Sequence, residues 1–326
     1  MKKILITGGA GYVGSKLVPK LLSIGYEVIV LDLMIYGENV LDQNKNLTVI
    51  KGDIRDLKIL NEALSQVDIV IHLACISNDP SFELNPSLGK SINLDAFEPL
   101  VKLSKENLVK RFIYASSSSV YGIKKEKNVT EDMSLEPLTD YSKFKGDCEK
   151  ILSKYTSEDF ITTTIRPSTV CGYARRQRLD LVVNILTNHA YHNREIKVFG
   201  GDQLRPNVHI DDMVESYLAV INSDANLVNG EIFNVGFKNQ TVNELASNVK
   251  EVIGEDVKII QTESNDNRSY HVSSEKIKNL IGFETKKTVK DAVLDLKNVF
   301  KKKLLINTFE DEMFFNIKRM NNIKLK

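Results

Sequence analysis

The sequence lacks an excess of charge of either sign: Lys and Arg number 44 against 43 for Asp and Glu, a net charge of +1. So small a field gives no attraction for a polyanion, which argues against nucleic acid and membrane surfaces as partners; an anionic ligand must be held by local groups. Cysteine is scarce. Cys75, Cys148 and Cys171 are odd in number and show neither CxxC nor Cys/His spacing, so no disulfide framework, zinc site or other metal is expected. A reducing cytoplasm is the expected home. Long apolar runs are missing too. The opening Lys2-Lys3-Ile4-Leu5-Ile6-Thr7 is shorter than the hydrophobic region of a signal peptide, and no later run approaches the roughly eighteen apolar residues of a membrane helix. There is no internal repeat or low-complexity tract.

What is present is the balance of a globular enzyme-sized chain, with 326 residues, 42% hydrophobic and 27% charged. Short β-branched runs recur at residues 4–7, 27–31, 47–50, 69–73, 112–115 and 161–165, with helical patterns between them. That alternation predicts βαβ units and a buried parallel sheet. The expected fold is α/β: a Rossmann-type doubly wound parallel sheet over residues 1–167, with a smaller α/β substrate-binding lobe over 168–326. Segments near 207–221 and 231–235 are expected to return to the first unit. In the second half a helix is expected from about Leu179 to Tyr191. The basic tail, with Lys301-Lys302-Lys303 and Lys324-Leu325-Lys326, reads as solvated surface.

Gly8, Gly11 and Gly14 form Gly-x-x-Gly-x-x-Gly directly after the first strand and at the opening of a helix, with Tyr12 and Val13 between the last two. Strand, tight turn and helix N-terminus together make a pyrophosphate cradle, whereas glycines alone also punctuate ordinary turns. Asp32 ends the second strand eighteen positions after Gly14. A carboxylate there accepts from both ribose hydroxyls and repels a 2′-phosphate, which selects NAD over NADP. Asp53 and Ile54 follow the third strand and Leu73 and Ala74 close the fourth, at the carboxyl edge where open sheets bind ligands. Asp53 could bond the adenine amino group or simply cap the helix beginning near Asp56.

Tyr141 and Lys145 are four residues apart, hence on one helix face. A tyrosine titrates near pH ~10, and a neighbouring ammonium lowers that value enough for it to serve as a base. Taken alone, the pair is a common chance match. Upstream, Ser116 to Ser119 follow the fifth strand, so their hydroxyls emerge at the same edge.

In order, the glycine pattern, the acid, the serine cluster and the Tyr/Lys pair resemble the extended short-chain dehydrogenase/reductase superfamily, in its NAD-dependent epimerase/dehydratase branch. The resemblance covers nearly the whole chain. It implies NAD as cofactor, Tyr141 as base with Lys145 as its partner, and Ser117 as the hydroxyl that bonds the reacting oxygen. It also implies that Asn93 lies beside the nicotinamide ribose, the alternative being a polar helix residue. Arg205, in Arg-x-x-x-His-x-x-Asp, and Arg268 match arginines that bind a nucleotide's pyrophosphate, which a guanidinium fork suits. Each taken singly could equally be a surface ion pair. Phe199 matches a residue that packs on the nucleobase, or fills the core.

The resemblance further implies a nucleotide-diphosphate sugar as substrate and a homodimer formed through helices near 86–106 and 141–156. Dehydratases of the superfamily carry Asp-Glu after the catalytic hydroxyl residue; this chain has Ser118 and Ser119. That leaves 4-epimerisation through a transient 4-keto sugar, in surface polysaccharide or activated-sugar biosynthesis, as the expected activity. Arg175 to Asn184, including Arg178, instead resembles a stretch of bacterial capsular GDP-heptose 4-dehydrogenases, and Thr169 stands where many epimerases have asparagine. Net 4-oxidation is therefore the alternative, and a non-catalytic nucleotide sensor a more remote one.

Overall fold

The computed structural model describes residues 2–126, 128–263, 269, 271–323 and 325. Seven strands form one sheet: β1 (Lys3–Thr7), β2 (Glu27–Asp32), β3 (Leu47–Lys51), β4 (Ile69–His72), β5 (Arg111–Ala115), β6 (Ile161–Pro167) and, from much later in the chain, a strand at Glu231–Val235. Every pairing in it is parallel. The order runs 231–235, β6, β5, β4, β1, β2, β3, so the winding reverses between β1 and β4 and opens a crevice at their carboxyl ends.

Alternation within the strands divides the core between two faces. Ile4, Ile6, Val28 and Val30 pack with Leu17, Val18 and Leu21 of the helix Gly14–Ser23 and with Met213 and Tyr217 of the helix Ile210–Asn222. Leu5, Ile29, Leu31 and Val70 point the other way, toward Leu60, Phe97 and Leu152 of three helices. No helix among the described residues is long and apolar enough to cross a membrane.

The remaining strands are β7 (Thr169–Cys171), β8 (Glu195–Phe199), β9 (Leu204–His209), β10 (the sheet strand Glu231–Val235), β11 (Asn239–Thr241) and β12 (Lys258–Thr262). β7, β9 and β11 make a three-stranded sheet, and β8 pairs with β12. Helices Val182–Asn193, Val242–Ile253 and Val289–Lys301 share a separate apolar cluster with β8. Two of these helices start with a reciprocal capping box, Thr241 with Glu244 and Thr288 with Asp291.

Two local expectations are corrected. The helix pattern near 86–106 is split into Pro86–Lys90, a π-helical turn at Ser91–Asp95 and Phe97–Glu106. The wide turn swings Asn93 inward, where its side chain accepts from the backbone N–H of Ile76 at 2.8 Å and donates to the Ile76 carbonyl at 3.0 Å. The helix Leu57–Ala63 is capped by Asp56, which accepts from the N–H groups of Lys58 and Ile59. Asp53 does not cap it and pairs with Arg55 instead.

Beneath the turn after β5 lies a buried ion pair. Arg166, 2% exposed, donates from Nη2 to Glu149 Oε2 at 2.6 Å and from Nε to Oε1 at 3.0 Å. Its Nη1 donates to the Tyr121 hydroxyl at 2.6 Å, and the Ser116 hydroxyl donates to Glu149. Removing one member of such a pair strands the other charge. Glu149→Leu is expected to lower the unfolding free energy by about 3–5 kcal/mol, read from urea unfolding. Glu106→Ala, at the exposed pair with Lys102, should change it by less than about 0.5 kcal/mol.

Candidate active site

A cavity of about 440 Å³ opens at the crevice between β1 and β4 and reaches the turn after β5. The glycine loop forms one wall. Gly8 has φ of +74°, and a Cβ on it would stand 2.6 Å from the backbone nitrogen of Ala74. A Cβ on Gly14 would stand 2.4 Å from the Gly9 carbonyl oxygen. Neither position admits a side chain, so the loop presents bare backbone to the cavity at the start of a helix, as an anionic dinucleotide requires. Asp32 closes this end. Its two oxygens accept from the backbone N–H groups of Ala10 (2.9 Å) and Met34 (2.8 Å). Burial raises its pKa, while those two donors pull it down.

Within the sheet beneath the cavity lining, His72 of β4 is buried and shares a 2.7 Å hydrogen bond with the Thr7 hydroxyl. Burial, assisted by the Lys145 ammonium, drops its pKa to about 3, so the imidazole is neutral and is a structural group.

The other end holds the serine turn and the helix Asp140–Ser153. Ser117 Oγ accepts from the Ser119 N–H at 3.1 Å and lies 2.8 Å from Ser119 Oγ, which accepts in turn from the Ser142 hydroxyl at 2.8 Å. Thr139, the helix N-cap, donates to Ser142 Oγ or to Asp79. Lys145 is buried, donates to the Ala115 carbonyl at 2.6 Å and stands 5.8 Å from the Tyr141 ring centre. Tyr141 is half-buried. Burial pushes its hydroxyl above the ordinary value, as do Cys75 and Asp79, while Arg178 and the backbone of Asn78 act in the opposite sense.

Of the residues singled out in the sequence, Gly8, Gly11, Tyr12, Val13, Gly14, Asp32, Ile54, Leu73, Ala74, Ser117, Ser118, Tyr141, Lys145, Thr169, Arg178 and Arg205 all line this cavity. Four others do not. Asp53 holds Arg55 at 2.6 Å, Asn93 pins Ile76, and Asn184 is buried, donating to the Tyr12 hydroxyl at 3.1 Å and to the Arg178 carbonyl at 2.8 Å. Phe199 is 54% exposed on β8, which removes its core alternative. Arg268 lies outside the described residues.

The cavity also contains residues that the sequence did not single out. Tyr36 stacks on Arg176, whose guanidinium carbon is 3.6 Å from the ring centre. Asn316 and Leu325 come from the far end of the chain. Lys301, Lys302 and Lys303 are exposed, as a solvated run should be, while Leu325 turns inward. Arg176 lay in a visible run of arginines, but spacing alone does not tell which one faces in. Asn316 had no local signal at all.

The buried His72 makes stability depend on pH. The unfolded chain takes up its proton near 6.5 and the folded chain near 3, so stability is full above 6.5 and is lost as pH falls through that window. The expected slope is up to about 1.4 kcal/mol per pH unit from this group. Unfolding free energies measured across the window should fall less steeply for His72→Asn; equal slopes would mean that His72 protonates in the folded state.

The family described as the NAD dependent epimerase/dehydratase family matches residues 4–236. A putative UDP-glucose 4-epimerase of Methanocaldococcus jannaschii is 31% identical, covering 77% of this chain and 82% of its own. The human dTDP-D-glucose 4,6-dehydratase is 29% identical, covering 86% and 84%. Among solved structures, the UDP-glucose 4-epimerase of Thermotoga maritima with UDP-glucose superimposes with a TM-score of 0.84 at 28% identity, over 93% of this chain and 100% of that one. With its parallel sheet, glycine loop and Tyr/Lys helix, the chain belongs to the NAD-dependent epimerase/dehydratase family.

Proposed function

We propose that the protein is a nucleotide-sugar 4-epimerase working with NAD through a transient 4-keto sugar, in the cytoplasm, as a step of activated-sugar or surface polysaccharide biosynthesis. The observation that carries this reading is the meeting of Ser117, Tyr141 and Lys145 in the same cavity as the glycine loop and Asp32. Bare backbone at Gly8, Gly11 and Gly14 would hold the dinucleotide's pyrophosphate, and Asp32 its adenosine ribose. When bound, NAD would supply a two-electron acceptor for the sugar's hydride and a positive charge that favours the phenolate.

The residues handle the proton. Tyr141 Oη takes it from the sugar 4-hydroxyl and later gives it back, while the Ser117 hydroxyl bonds the same oxygen and steadies its changing charge. Burial works against a phenolate at Tyr141, so cations must overcome it. Lys145 is fixed for that purpose by the Ala115 carbonyl, and Arg178 adds to it. The acidic residues lining the cavity are Asp32, at the adenosine end, and Asp79, engaged by Thr139. Behind Ser117 stand the hydroxyls of Ser118 and Ser119, so no carboxylate is held there to expel water from the sugar. This favours epimerisation over dehydration.

Arg205, Arg178 and Thr169 also line the cavity and suit the diphosphate and sugar of the substrate. Net 4-oxidation is the second reading. Arg178, from the stretch that resembles 4-dehydrogenases, is buried in the wall, donating to Asp180 at 2.9 Å and to Ser77 at 3.3 Å. The homodimer remains part of the proposal, and a monomer in sedimentation at micromolar concentration would count against it.

A panel of UDP-, GDP-, CDP- and dTDP-sugars, followed for NADH absorbance and product stereochemistry together, tests the reading. A 4-epimer without net NADH supports it, and stoichiometric NADH with a 4-keto product replaces it with the dehydrogenase. Tyr141→Phe should lower kcat by about 10²–10⁴-fold with little change in KM. A variant as active as the parent would remove Tyr141 as the base.

A further inference from the structure

The C-terminal segment from Phe309 to Ile323 folds back over the cavity, with its helix Asn316–Ile323 at the rim. Its polar contacts go to three loops that border the cavity. Toward the loop after β2, Arg319 donates to the Ile35 carbonyl. Toward the loop after β4, Asn316 Nδ2 donates to Ser77 Oγ at 2.9 Å. Toward the loop after β7, the Asn316 N–H donates to Asp180 Oδ2 at 2.9 Å, and the Leu179 N–H donates to the Phe314 carbonyl at 3.0 Å. Asn316 is 2% exposed, and its Oδ1 accepts from Arg176 Nη2.

Arg176 is the group these contacts hold. It is 4% exposed, lies against the Tyr36 ring and lines the cavity, yet its Nε finds no hydrogen-bond partner among the described residues. The neighbouring carboxylate Asp180 is already occupied by Arg178, which donates to both of its oxygens. A buried cation with an unmet donor is costly unless an anion completes it. Burial weakens its hold on the proton, with a pKa of about 10, yet it remains a cation at neutral pH. The Asp32 carboxylate feels the same charge. The Arg176 backbone N–H donates to Ser15 Oγ at 3.2 Å, on the helix that opens at Gly14, and the Tyr36 ring against it belongs to the loop that follows Asp32, so Arg176 lies beside the glycine loop at the Asp32 end of the cavity.

We propose that Arg176, positioned by Asn316 of the C-terminal segment, binds the phosphates of the dinucleotide, and that residues 309–323 form a strap fixing Arg176 in place. This rests on the reading of the cavity as a dinucleotide site. The glycine loop supplies backbone donors and Arg176 a guanidinium, with Tyr36 supporting its plane.

The test is equilibrium binding to the full chain, freed of retained nucleotide, with two probes: NAD, and ADP-ribose, which keeps the phosphates without the nicotinamide. Arg176→Met and Asn316→Ala should each weaken both probes by about tenfold or more, and Arg176→Lys should recover most of the loss for Arg176. Melting of the ligand-free variants checks that they fold. Binding within about twofold of the parent for folded Arg176→Met, or a loss confined to a nucleotide sugar, overturns the assignment. Normal binding by Asn316→Ala removes the strap alone. A parent protein that binds neither probe would instead overturn the cofactor reading, so the two failures are distinguishable.

Discussion

The buried pair of Arg166 and Glu149 fixes the geometry on which the site depends. Arg166 lies in β6, Glu149 sits on the helix that carries Tyr141 and Lys145, and Ser116 and Tyr121 flank the serine turn. Tyr121 continues the network to Asn234 of β10 at 2.8 Å. Charges out of water are expensive unless every donor and acceptor is met. Here three donor atoms of the guanidinium reach Glu149 or Tyr121, and Ser116 adds a further donor to the carboxylate. What the pair contributes is placement: it sets the distance between the turn holding Ser117 and the helix holding Tyr141.

Charge in the cavity is arranged with equal economy. Carboxylates line the cavity at Asp32 and Asp79, the guanidiniums of Arg176 and Arg178 line it as well, and Lys145 lies under the phenol. Tyr141 alone, in this degree of burial, resists ionisation. Its acidity is a property of the assembled site, and that suits an enzyme which should take a proton only once cofactor and sugar are in place.

Much of this was legible in the sequence, because the strongest signals are local. Strand periodicity gave the parallel sheet, the glycine spacing gave a loop that tolerates no Cβ at Gly8 or Gly14, and four-residue spacing put Tyr141 and Lys145 on one face. What was not legible depends on distance or on a break in periodicity. The π-turn at Ser91–Asp95 redirects Asn93 to a backbone that no helical pattern announces. Asp53 has a nearer partner in Arg55. Asn184 lies in a motif that resembles a substrate stretch, yet its amide ties Tyr12 to the Arg178 carbonyl. Asn316 enters the site only because the tail folds back across loops hundreds of residues away, and a basic tail reads as solvated surface when its ends are lysines.

The claim that most needs testing is that hydride leaves and returns within one catalytic cycle. Whichever nucleotide sugar turns over, it should be prepared with deuterium at sugar C4 and the label followed by mass spectrometry and NMR. The account predicts that the deuterium stays on C4 of the 4-epimer, with none accumulating in free NADH. Deuterium on the nicotinamide with a 4-keto sugar released would contradict it and establish net oxidation.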